Sequence, residues 1–215
     1  MPAISTTDSC DTGTPGSVTQ VMARFCVDTA AACEGEGRDR GALDAVLSRA
    51  QLCVADCLHA ALLGAGSPTG DLLWDYVGGG GGGGGGLCTA VMRGASDPEA
   101  AALYNGAVAA VQEIDDVHFD TSMHPGAAVV PSALAAAEWE VGASGLRLLA
   151  AVAVGYEIAI RLSIAAGHRH YHFFHSAATC GAVGAAAAAA VAAGLRLVQQ
   201  DRAIHLAEAV HPDAG

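Results

Sequence analysis

The sequence contains no lysine: its ten basic residues are all arginine, set against 22 aspartates and glutamates. That absence removes the amine required for a Schiff base, for a P-loop, or for lysine acid/base chemistry within the chain. At a net charge of −12, neither nucleic acid nor an anionic membrane surface is expected as a partner, since both call for a cationic face. Aromatic residues are scarce, CxxC pairs are missing, and no segment alternates apolar and polar residues long enough to make a strand, except for "LCTAVM" at 87–92. No secretory leader is recognisable. The seven cysteines are odd in number, so reduced thiols in a cytoplasmic protein are expected. Cys53 and Cys57, four apart on a predicted helix, read as small apolar packing rather than as metal ligands.

What the chain has in quantity is small apolar residues at helical spacing. With 215 residues, 52% of them apolar, it is long enough for one domain with a substantial core. Residues 1–16 are turn formers and predict a mobile tail, leaving a helical domain over 17–215. Helical periodicity runs from Val18 to Leu63, with "EGEGRDRG" at 34–41 as a loop before one long helix that Gly64 and Gly66 stop. Nine consecutive glycines, Gly78 to Gly86, lack the GK[ST] that would cradle phosphate and read as a flexible loop. Asp97 and Pro98 predict a helix start. Beyond it Leu103, Ala107, Val111 and Ile114 would share one face, with Glu113 and Val117 together on another. Pro125 and Gly126 break the chain, Pro131 predicts the start of "PSALAAAEW", Ser144 caps the next helix, and Asp201 opens a last one ending near His211. Residues 177–195 are uncharged, but they are mostly alanine and glycine, which predicts a buried helix in close contact with its neighbours rather than a membrane span. The fold class expected is all-α.

Two polar clusters interrupt this background: "EIDDVHFDTSMHPG" at 113–126 and the histidine run His168, His170, His172 and His175. HxHxH spacing converges on a metal only on a strand, where alternate residues share a face, and here the run follows a helix as a loop. No metal is therefore expected. Acid/base chemistry needs a histidine beside another histidine or a carboxylate. His118, His124 and His175 with Glu113, Asp115 and Asp116 supply that stock.

The stretch "AALYNGAVAAVQEIDDVHFDTSMHPGAAVVPSALAAAE", with "GASGLRLLAAVAVGYEIAIR" and "FHSAATCGAVGAAAAAA" after it, resembles the MmgE/PrpD family. That family includes 2-methylcitrate dehydratase, cis-aconitate decarboxylase and iminodisuccinate epimerase. The resemblance runs over about residues 18–215 and is strongest after Asp97. It implies a helical domain joined to an α/β lid domain, a homodimer, and cofactor-free chemistry on small polycarboxylates, with this chain corresponding to the helical part without the lid.

By the same resemblance His124 of the HPG motif and His175 of the "FH" motif are the active-site histidines, whereas His168, His170 and His172 are bystanders. The family's DxDDT pattern falls on 113–117, with Glu113 in place of its first aspartate and Val117 in place of its substrate-binding threonine. Glu113 joins the two histidines as a catalytic candidate, and Asp116, Val117 and His118 stand where substrate would be held. Valine forfeits a hydrogen bond worth about 1 kcal/mol, so substrate contacts must differ. Relatives hold carboxylates with lysines that this chain lacks. Three readings follow: a lyase subunit completed by a second chain, a self-associating enzyme acting on a less charged metabolite, or a non-catalytic partner of a full-length relative.

Overall fold

The computed structural model describes residues 16–35, 40–78, 86–140, 142–196, 199–201, 203, 204 and 207. The expected N-terminal tail, the middle of the 34–41 loop, most of the glycine tract and the end of the last helix lie outside the described residues. Helix α1, Val18–Glu34, starts where the Ser17 hydroxyl accepts from the Gln20 N–H. The long helix α2, Arg40–Ala65, is followed at once by α3, Pro68–Tyr76. The third helix had no counterpart in the sequence reading, although Ser67 caps it through the Gly70 N–H at 3.1 Å and Pro68 occupies its first turn. Strands β1, Cys88–Ala90, and β2, Gly94–Ser96, form a small antiparallel hairpin with Cys88 opposite Ser96. Helices α4 (Pro98–Ala110), α5 (Gly126–Trp139), α6 (Gly145–Ala166), α7 (His168–Tyr171) and α8 (Ser176–Ala192) complete the described all-α domain.

Several local expectations are corrected. Helix α4 stops at Ala110 because the chain turns there and Glu113 takes a left-handed φ of 51°, so Val111 and Ile114 do not extend its face. The side it buries is instead Ala101, Tyr104, Asn105, Val108 and Ala109, with Leu103 exposed. Asp97 occupies the N-cap position without a side-chain capping bond. Pro131 lies inside α5 rather than at its start. Its missing N–H frees the Ala127 carbonyl, and α4 comes so close that a Cβ on Gly106 would stand 2.6 Å from that oxygen. The histidine run begins with the single helical turn α7.

The centre of the molecule is the contact of α6 with α8, with α5 laid across both. A Cβ on Gly184 would lie 2.5 Å from the Gly155 carbonyl oxygen, and one on Gly155 would lie 2.9 Å from the Gly184 carbonyl and 2.6 Å from Val129 of α5. Alanine and glycine at these positions bring helix backbones into direct contact, and buried Val152, Val154, Val183 and Val191 fill the space around them. The alanine-rich α8 is a core helix. Among the described residues the two helices long and apolar enough to cross a membrane are α2 and α6, not the 177–195 run that raised the question in the sequence.

Gly184→Ala is expected to lower unfolding free energy by about 1–3 kcal/mol, as overpacking does. Gly145→Ala, with open space around the new methyl, should leave it unchanged or raise it. Urea denaturation followed by helical circular dichroism measures both, and equal effects would contradict the packing argument.

Candidate functional site

The residues 111–125, between α4 and α5, carry most of the polar groups picked out in the sequence. A 3₁₀ turn at Phe119–Thr121 folds this connection back on itself. The His118 N–H donates to the Met123 carbonyl at 2.8 Å and the Met123 N–H returns the bond at 3.4 Å, while Met123 is fully buried against Ala159 and Cys180. Sequence order then brings His124, the fully buried Pro125, and Gly126 as the first residue of α5.

Gly126 is held from several sides. Its N–H donates to Asp116 Oδ1 at 3.0 Å, and its carbonyl accepts from the Cys57 thiol of α2 at 3.5 Å. A Cβ here would stand 2.5 Å from Asp116 Oδ1 and 2.8 Å from the Tyr156 hydroxyl of α6, so only glycine fits. Burial pushes the Asp116 carboxyl up from its ordinary range, opposed by the Tyr156 hydroxyl and the Gly126 N–H. Burial likewise keeps Tyr156 a neutral phenol and pushes the Cys57 thiol up to about 12. The Tyr156 hydroxyl lies against this carboxylate without forming a well-aligned hydrogen bond.

Beside this brace lies a cavity of about 290 Å³ lined by Glu113, Asp115, His124, Tyr171 and His175, with small alanines from α4, α5 and α8 leaving the room. His124 Nδ1 sits 3.5 Å from Asp115 Oδ1, whose carboxylate is only 3% exposed. That separation is too long for a hydrogen bond, so Nδ1 is a buried polar atom with no partner among the described residues. Burial raises the Asp115 carboxyl, and the neighbouring His124 opposes the rise. His175 occupies the N-cap position of α8, exposed, its ring 6.0 Å from that of Tyr171. An imidazole backed by a buried carboxylate, facing a second imidazole across a small cleft, has the parts to take a proton on one side and deliver one on the other.

Of the sequence candidates, the fold therefore brings Glu113, His124 and His175 to one cavity and leaves Asp116, Val117 and His118 out of its lining. Asp116 points beneath Gly126. Val117 is exposed at the surface, and the His118 ring bonds through Nδ1 to the Thr121 hydroxyl at 2.9 Å. Asp115, which the sequence offers only as one of several acid/base candidates, is the carboxylate that lines the cavity, and its adjacency to Asp116 gives no sign of which of the two would turn inward. Among the described residues no three of histidine, cysteine, aspartate and glutamate converge as a metal-ligand set.

The raised Asp116 carboxyl fixes the sign of a pH effect. A carboxyl that holds its proton more tightly folded than unfolded makes the native state the richer in protons between the two pKa values, so stability falls as pH rises through that window. Asp116→Asn keeps an acceptor for the Gly126 N–H and carries no charge. Its stability relative to wild type is expected to grow as pH is raised from about 4 to about 7, measured by urea unfolding at each pH. A difference independent of pH would show that Asp116 is not held as described.

Comparison with curated proteins gives no match for this chain. The family model described as the MmgE/PrpD N-terminal domain does match, over residues 39–211. That span takes in the Gly126 brace and every residue lining the cavity. The chain belongs to the MmgE/PrpD family and carries its N-terminal helical domain.

Proposed function

We propose that this domain supplies the proton-transfer residues of a lyase that needs no cofactor. Its reaction is dehydration, or a related proton transfer, next to a carbonyl or carboxylate, and a second chain completes the pocket. The observation that carries this reading is the single cavity shared by His124, His175 and the buried Asp115 in a domain of this family. His124, backed by Asp115, removes the proton adjacent to the carbonyl carbon. His175 protonates the departing hydroxyl, and Glu113 at the same cavity orients substrate or imidazole. Among the described residues the cavity lining holds no arginine, and the chain has no lysine, so a polycarboxylate would need cations from the second chain.

The same lining favours a second reading: a stand-alone enzyme acting on a less charged metabolite. Glu113 and Asp115 repel a polyanion, whereas an uncharged carbonyl compound meets no such barrier.

Native mass measurement of the purified protein separates the two readings by whether a second polypeptide accompanies it. For the chemistry, the protein is incubated in deuterated buffer with a panel of hydroxycarboxylates and neutral hydroxyketones, and NMR follows deuterium entering next to the carbonyl. Wild type is expected to exchange one of them, with His124→Ala and His175→Ala each slowing the exchange by roughly 10²- to 10⁴-fold. Undiminished exchange in both variants would remove the two histidines from the chemistry, and no exchange above the buffer background with wild type would leave a non-catalytic partner role.

A further inference from the structure

A second, larger cavity of about 480 Å³ lies on the other side of Tyr171, which contributes to the walls of both. This volume falls within the range of small-molecule sites. It is enclosed by the 120–122 turn, the end of α6, α7 and the first residue of α8. His168 and His172, bystanders in the family comparison, both face it. Ser176, only 3% exposed, also lines the cavity. The exposed side chains of Asp120, Ser122, His168 and His172 line the same space. A hydroxyl on a nearly buried residue at the cavity wall is a place where a ligand oxygen would bond.

We propose that this cavity binds a small, uncharged, polyhydroxylated molecule. The lining offers what such a ligand requires: hydroxyls that both donate and accept, imidazoles that do either when neutral, and an Asp120 carboxylate that accepts from a ligand O–H. Ile164 and the Tyr171 ring supply an apolar wall for its C–H face. An anion is the poorer fit, because Asp120 opposes it and no arginine lines the cavity among the described residues. The site stands on side chains other than His124, so it holds whether or not the proton-transfer reading does.

The full chain, labelled with ¹³C at the histidine Cε1 positions, tests this by NMR titration with myo-inositol, D-ribose and, for contrast, citrate. The His168 and His172 signals are expected to shift saturably with at least one of the uncharged probes while His59 of α2 stays fixed. Ser176→Ala and, separately, Ser122→Ala should each weaken that binding about fivefold, the loss of one hydrogen bond. His124→Ala should leave it unchanged. Saturable shifts with citrate alone would make this an anion site and overturn the proposal, as would the absence of shifts with either uncharged probe.

Discussion

The approach of α6 to α8 through facing glycines is the constraint from which the rest of the molecule takes its geometry. With Gly155 and Gly184 each set against the other's carbonyl, and Val129 of α5 wedged at the same point, three helices share one crossing with no slack. Two of them deliver parts of the cleft from their N-termini, α5 beginning just after His124 and α8 just after His175, while α6 carries Tyr156 at mid-length beneath Gly126. Two imidazoles far apart in sequence thus meet because of what happens several turns away, in contacts that contain no polar side chain.

Placing two adjacent carboxylates under one helix start has a cost and a use. Neither Asp115 nor Asp116 gains an arginine partner, so burial raises both. Asp116 recovers part of that cost by accepting the first N–H of α5, a group with no partner inside the helix. Asp115 recovers less, since His124 stands at 3.5 Å. An imidazole that gains charge during a reaction would draw that pair together, so the looseness at rest becomes attraction when a proton arrives.

Helical periodicity made most of the fold legible, because alanine and glycine at close spacing leave helix packing as the one way to bury them. Ser144 and Ser67 cap as their sequence positions allow. The failures lie where backbone conformation departs from periodicity. Nothing in "VQEIDD" announces that Glu113 will take a left-handed φ, and a proline in the apolar stretch "GAAVVPSALAAAEW" reads equally as a helix start or a helix interior. His124, His175 and Glu113, singled out through the family resemblance, come to one cavity. The different fates of Asp115 and Asp116 were not legible, for neighbouring identical side chains separate only once a loop has chosen its turns. The place of Ser176 in the wall of the second cavity was invisible for a similar reason: its neighbours there come from the 120–122 turn and from α6 and α7.

An interior built largely of methyl groups also has a thermal character. Alanine has no side-chain torsion to freeze, so ordering this core costs less rotamer entropy than ordering one of leucine and methionine. It also removes less apolar area from water per residue. Since the heat-capacity change of unfolding follows that area, the curve of stability against temperature for such a helical core is comparatively flat, low at its crest and slow to decline on either flank.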